Sequence, residues 1–340
     1  MAKSKYKEES HMTNGKSDRK KLVKGLVTII VVIIAAVLGI NITDLVPNEE
    51  NGQETVVQDS TQIEHGVEEI EGELILTMID VGQADSFVLV QGGKVALIDC
   101  GTRSTGEDVV QYLKSIGITK IDYVFGTHPH DDHMGGMYDV ITNFEIGKII
   151  IPEVKAGTVT TNWYLKLMQE IKTGGYELEY AKLGTEYNLG NASMEIIGLL
   201  SDPKDNMNNY SPILKVTFGE MDIIMTGDAE TEVEAEVLKS DANLEAEILK
   251  MGHHGSDTSS SDAFLDAINP DYALISAKVG NKYEHPKKVT MDKLKKRNIQ
   301  VYRTDENGTV VLTVTTKDVS FSCNPGDYLS GIELEEREAK

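Results

Sequence analysis

The chain has 340 residues, 40% of them hydrophobic and 6% aromatic, a composition that supports a sizeable core in one large domain or two small ones. Its formal charge of −22 argues against general, salt-driven adsorption to nucleic acid, because phosphate neutralisation needs Lys and Arg, although a local basic groove stays compatible with that total. Cys100 and Cys323, the two cysteines, stand far apart in sequence and away from every histidine cluster, which gives no thiolate metal signature; they either pair or stay free, and two buried free thiols are the expectation.

The charge is unevenly placed. Residues 1–24 carry eight basic against three acidic side chains and form a basic segment. Gly25 to Ile42 follows as an almost unbroken apolar run without charge, close to the minimum of about 17 residues for a membrane-spanning helix. With Lys20, Lys21 and Lys24 before it and Asp44, Glu49 and Glu50 after it, the positive-inside rule places everything beyond Ile42 outside the cell. A single-pass anchor over 25–42 is the expectation. Its rivals are a cleaved signal peptide, which would give a secreted form, and a buried core helix. Residues 43–73 hold ten acidic residues, no Lys or Arg and few large apolar side chains, the composition of a disordered linker.

Beyond Leu74 the pattern changes to short apolar runs between turn signals. Strands are predicted at Leu74–Ile79, Ser86–Val90, Val95–Ile98, Ile121–Phe125, Ile146–Ile151, Pro212–Phe218, Ile223–Met225, Ala246–Leu249, Tyr272–Ile275 and Thr309–Val314. Amphipathic helices are predicted at Glu107–Ile116, Trp163–Ile171, Glu230–Leu238, Asp262–Ile268 and Val289–Lys296. Paired strands, then strands alternating with helices, then the same again, imply two sheets packed face to face with helices outside. The domain is expected to span 74–323, and the Glu-rich residues 324–340 to form an acidic, solvated tail.

His128-Pro129-His130-Asp131-Asp132-His133 packs three imidazoles and two carboxylates into six residues just after a predicted strand. Such a loop can aim His128 and His130 at one ion and Asp132 and His133 at a second. Asp228, in Thr226-Gly227-Asp228, also follows an apolar strand, and a carboxylate can offer two oxygens to two cations. His253 and His254 are adjacent, so in an extended segment one serves a metal and the other faces substrate.

The His-x-His-x-Asp-His sequence resembles the signature of metallo-β-lactamase-fold hydrolases. Asp80 to Ser86, Ile98 to Gly101, Met225 to Asp228 and Leu249 to Ser256 stand in the order seen in the extracellular hydrolase domain of ComEC-type DNA-uptake proteins, and are similar to related phosphorylcholine esterases. The resemblance covers roughly Leu74 to Cys323. It implies an α/β fold, an αββα sandwich, with two divalent ions, Zn or Mn. It further implies His128 and His130 on metal one, Asp132, His133 and His254 on metal two, Asp228 bridging, and His253 contacting the leaving group, with the order of His253 and His254 left open. Asp99 then steadies the histidine loop from behind the ligands, Asp80 and Asp85 are structural or rim residues, and Asn281, Lys282 and His285 border the substrate pocket.

Many relatives place a further histidine between the first cluster and the bridging Asp, yet none lies between His133 and His253. Metal one is therefore short of nitrogen, with Asn208, Asn209, Ser211 or water left to complete it. The expected activity is hydrolysis of a phosphoester by a metal-activated water, with Asp132, Asp228 and His253 as the catalytic side chains. The substrate is either single-stranded DNA or a small or wall-linked phosphoester. The alternatives are a lactonase or β-lactamase acting on a carboxylic bond, and a non-enzymatic surface binding module. A basic stretch, Lys278, Lys282, Lys287 and Lys288 followed by Lys293, Lys295, Lys296 and Arg297, steers nucleic acid only if it faces the site.

Overall fold

The computed structural model describes residues 72–340. The basic segment, the expected anchor over 25–42 and nearly all of the acidic linker lie outside the described residues. Among the described residues, no helix is long and apolar enough to cross a membrane.

Two sheets make the frame. The first runs β15-β14-β1-β2-β3-β4-β5-β6, with β1 Leu74–Met78, β2 Phe87–Gln91, β3 Lys94–Ile98, β4 Lys120–Phe125, β5 Glu145–Ile151, β6 Glu177–Tyr180, β14 Val310–Val314 and β15 Val319–Phe321. The second runs β13-β12-β11-β10-β9-β8-β7, with β7 Glu186–Leu189, β8 Ala192–Gly198, β9 Ile213–Phe218, β10 Met221–Met225, β11 Ile248–Lys250, β12 Tyr272–Ile275 and β13 Gln300–Arg303. In each sheet an antiparallel half leads into a parallel one: β3 to β6 are parallel, as are β10 to β13.

The alternation of side chains across each strand explains why so many strands are apolar throughout. Ile223 and Met225 of β10 enter the core between the sheets with Leu76, Leu89, Leu214, Phe218 and Leu312. Ile224, one residue out of phase, packs on the other side with Val233, Phe264, Leu265 and Leu294. Those four belong to α5 Thr231–Val237, α6 Asp262–Ile268 and α7 Lys288–Arg297, which cover the second sheet. Helices α1 Gly106–Ser115, α3 Met137–Asn143 and α4 Asn162–Thr173 bury Val109, Leu113, Val140, Ile141 and Leu167. A four-residue helix, α2 Asp131–Met134, lies within the histidine loop, and another, α8 Thr304–Asn307, follows β13.

Five strands escaped the sequence reading. β6 is half-exposed and reads Glu-Leu-Glu-Tyr, so its pattern is that of an edge and not of a core strand. β7 is short and alternates, β8 is interrupted by Glu195, β15 has three residues, and β13 ends on a charged residue, Arg303.

The expectation of a solvated C-terminal tail is corrected. Gly331–Glu338 forms α9, opened by a capping box in which the Ser330 hydroxyl accepts from Glu333 N and the Glu333 carboxylate accepts from Ser330 N. Leu334 is fully buried, and Arg337 pairs with Glu306 and Asp327. Arg303, completely buried, pairs with Asp305 and donates to the carbonyls of Asp327 and Leu329. The Glu content misled because one apolar and two Arg side chains anchor the segment. Of the two thiols, Cys100 is buried and Cys323 only partly so, both free.

Candidate metal centre

The carboxyl ends of the parallel strands in both sheets meet at one end of the domain, where open α/β sheets commonly place their ligands. Asp99 follows β3, Thr127 and His128 follow β4, Asp228 follows β10, and His253 and His254 follow β11. Backbone bonds stitch these loops together. Asp85 N donates to Asp132 O at 3.0 Å, Cys100 N to His133 O at 2.7 Å, and Gly101 N to Asp85 O at 2.8 Å.

Asp99 organises the histidine loop. Its carboxylate accepts from Thr127 N at 2.8 Å and Thr127 Oγ1 at 2.7 Å, and lies 2.7 Å from His133 Nδ1. With Nδ1 held there, His133 Nε2 faces Asp228 Oδ2 at 3.2 Å. His254 is oriented likewise: Nδ1 sits 3.0 Å from the Ser276 carbonyl, leaving Nε2 3.7 Å from Asp132 Oδ2 and 3.8 Å from Asp228 Oδ1. His128 Nδ1 lies 3.2 Å from both Ser211 Oγ and Thr127 Oγ1, with Nε2 3.8 Å from Asp228 Oδ2 and 2.9 Å from His130 Nδ1.

Besides the cluster of Asp85, Asp99 and His133 behind the loop, two groups of converging donors result, His128 with His133 and Asp228, and Asp132 with His133 and His254. They share His133. His130 reaches them through His128, its neighbour, and lies outside both groups. His253 also stands apart. His253 and His254 both adopt left-handed backbone conformations, φ 50° and 54°, so the segment is not extended as the sequence suggested, yet the rings still diverge, 6.3 Å apart at 61°. His253 is partly exposed at the mouth, its Nδ1 3.4 Å from Glu230 Oε1 and 3.2 Å from Thr258 Oγ1.

Burial opposes charge on His133, but Asp228 and Asp99 outweigh it and raise the imidazole pKa well above its ordinary value. Burial likewise opposes charge on His254, and Asp228 and Asp85 override it. Burial works against ionised Asp228 and Asp132 as well, yet the surrounding histidines hold both carboxyls below the usual range. His128, with burial dominant and His133 next to it, is driven the other way, well below an ordinary imidazole. The site is a buried field of carboxylates that draws positive charge inward.

Two residues read as peripheral or passed over are central. Asp85 is buried and pairs with Lys250, itself fully buried. Lys250 Nζ also donates to Gly227 O at 2.9 Å and lies 3.9 Å from Asp228 Oδ1. The available signal was a charged residue closing the apolar strand Ile248-Leu249-Lys250 three positions before His253. Of the other expected pocket residues, Asn281 ties its own loop, accepting from Tyr283 N and His285 N and donating to the carbonyls of Lys278 and His285. His285 is buried 5.3 Å from the His253 ring. Asn281 and Lys282 line a pocket of about 470 Å³ that also reaches Asp132. The basic helix is engaged elsewhere: Arg297 pairs with Asp262 and Asp266 on α6, Lys288 with Asp292, and Lys293 donates to Ser260 O.

Residues 79–277 match the family model described as Metallo-beta-lactamase superfamily. The chain belongs to that superfamily. Within the superfamily it is 31% identical over 273 residues to ComE operon protein 3 of Bacillus subtilis (strain 168), a match covering 75% of this chain and 34% of that protein. Competence protein ComA of Neisseria gonorrhoeae is 29% identical over 244 residues, 70% of this chain and 32% of the relative. The chain thus spans about a third of the length of these curated relatives. Among solved structures, CmlA, a diiron β-hydroxylase from Streptomyces venezuelae, superposes with a TM-score of 0.50 at 15% identity over 72% of this chain and 54% of CmlA, a likeness of fold.

Members of this superfamily generally bind divalent metals, and the side chains here fit such ions. His133 Nε2, Asp228 Oδ1 and His254 Nε2 are buried and make no hydrogen bond, although a buried polar atom without a partner is costly. The other buried side-chain atoms in that condition among the described residues, on Gln83, Asp85, Ser86, Asn208, Ser276 and His285, belong to the loops of this same end. Nitrogen and carboxylate oxygen without thiolate suit Zn or Mn.

Proposed function

We infer that the protein is a metal-dependent hydrolase of phosphodiesters. The observation carrying this reading is the pair of donor groups joined at His133, one of them including Asp228, with a partly exposed His253 above them and a lysine-bearing pocket beside them. His128 and Asp228 would hold one ion, with His130 next to them through its contact with His128, and Asp132, His133 and His254 would hold a second. Such ions supply Lewis acidity and acidify water for attack. Asp99 and the Ser276 carbonyl fix the tautomers of His133 and His254, so both present Nε2 to the centre. Glu230 and Thr258 flank His253 Nδ1, which turns His253 Nε2 toward the centre, 3.7 Å from Asp228 Oδ2, to contact the leaving oxygen. Lys282 places positive charge in the pocket beside the centre.

A carboxylic-bond hydrolase is the second reading, and the missing histidine between His133 and His253 counts against it. The candidate substrates are single-stranded DNA and a cell-wall-linked phosphoester. The apolar run at 25–42 supports anchoring to the cell membrane with the catalytic domain outside. The test is hydrolysis of bis(4-nitrophenyl) phosphate with Mn²⁺ and with Zn²⁺, beside a chromogenic cephalosporin. Wild-type protein should cleave the phosphodiester, and H128A should lose most of that rate. Undiminished phosphodiester cleavage by H128A, or turnover of the cephalosporin alone, overturns the reading.

A further inference from the structure

The pocket beside the metal centre carries more positive charge than the chemistry at the centre needs. It is lined by Gln83, Thr102, Asp131, Asp132, Lys278 and Lys282, with Gly280, Asn281 and Tyr283. Two lysines next along the chain are neutralised, Lys287 by Glu284 and Lys288 by Asp292. Lys278 and Lys282 make no salt bridge among the described residues, and the Lys282 ammonium rests over the Tyr283 ring at 4.7 Å. The acidic lining does not cancel them. Asp131 is taken by Arg103 at 2.6 Å, and Asp132 faces His254.

The loop that carries the two lysines is held at its backbone. Asn281 closes the loop between them with four hydrogen bonds to backbone. Lys278 N donates to Gln83 Oε1 at 3.3 Å, and the Lys278 stem passes beside Gly82, 3.5 Å from where a Cβ there would stand; φ +75° at position 82 favours glycine. Two exposed ammonium groups without a carboxylate partner, carried on a loop whose backbone is held, give a concave site that suits an anion.

The geometry points to a second anion subsite, in which Lys278 and Lys282 bind a further phosphate group of the substrate, adjacent to the phosphodiester cleaved at the metal centre. This rests on the phosphodiesterase reading and goes beyond it: the preferred substrate carries at least two phosphates in sequence. An isolated phosphodiester uses only the metal end.

The experiment compares two esters on the full chain, 4-nitrophenyl thymidine 5′-phosphate with and without a 3′-phosphate, and measures binding of thymidine 3′,5′-bisphosphate against thymidine 5′-monophosphate by calorimetry. Two charge-assisted contacts should favour the doubly phosphorylated form by about tenfold in KM and in Kd. K278M/K282M should bring both ratios close to one, while K317M, a change at an exposed lysine outside the pocket, retains them; thermal melts establish that the variants are folded. A ratio near one in the wild type, or a preference that survives K278M/K282M, overturns the subsite. If neither ester is hydrolysed yet the lysine-dependent binding preference is present, the phosphodiesterase reading falls and the subsite stands. If both esters are cleaved without preference, the reverse holds.

Discussion

Replacing Lys250 with Met tests whether the buried ion pair supports the metal loops. The Lys250 side chain is 1% exposed and that of Asp85 2% exposed, and the ammonium joins the Asp85 carboxylate to the Gly227 carbonyl. Met keeps the length of the aliphatic stem and removes only the cation. Asp85 then stays buried beside Asp99 without its ammonium, with the imidazoles of His254 at 3.3 Å and His133 at 3.8 Å as its remaining partners. Removing one member of a buried pair typically costs about 3–5 kcal/mol, which in a domain of this size lowers Tm by roughly 10 °C. Urea unfolding of the metal-free protein supplies the assay, with K250M, D85N and the double variant forming a cycle. Because D85N removes the carboxylate that K250M leaves without its ammonium, the double variant should lose less than the two single losses combined, by about 2 kcal/mol. A K250M loss below about 1 kcal/mol, or strict additivity, would refute the argument.

Two further outcomes follow from the same geometry. D99N keeps the shape at position 99 but removes the charge 2.7 Å from His133 Nδ1, so affinity for Mn²⁺ or Zn²⁺ should fall about 10- to 100-fold in competition with a chromogenic chelator; unchanged affinity contradicts the orienting role. Burial, then the neighbouring His253, His254 and Lys287, lowers the His285 pKa to about 3 from an ordinary 6.5. The unfolded chain therefore takes up this proton more readily, and stability from a neutral His285 is full above pH 6.5 and lost as pH falls toward 3. In metal-free protein the urea midpoint of H285Q should drop less between pH 6.5 and 4 than that of the wild type, and equal drops would remove His285 from the account.

The central strands and the histidine loop were legible because their signals are local. Ile121–Phe125 is a β-branched run bounded by turns, and six successive residues carry the donors. What stayed hidden depends on contacts distant in sequence. Asp85 looked like a turn residue since its partner, Lys250, comes 165 positions later and lies on the other sheet. The C-terminal segment looked like a tail because Leu334 is its only fully buried apolar side chain, and the pairs made by Arg303 and Arg337 join elements no periodicity connects. β6 and β7 are edge or near-edge strands whose alternating polar pattern is shared with turns. The divergence of His253 and His254 was expected on a wrong premise: two left-handed residues in succession separate the rings, as an extended segment also does.

The donor groups draw on both halves of the sandwich. His128, Asp132 and His133 hang from the first sheet, Asp228 and His254 from the second. A cation gripped by both is therefore a reversible rivet through the inter-sheet core, and it closes a loop of about a hundred residues whenever it binds. Folding and metal capture become one equilibrium, shifted by RT ln(1 + [L]/Kd) for each ion that the folded state alone retains. Where free metal varies, the ambient ion concentration would set how long the two sheets stay together as well as how fast the site turns over.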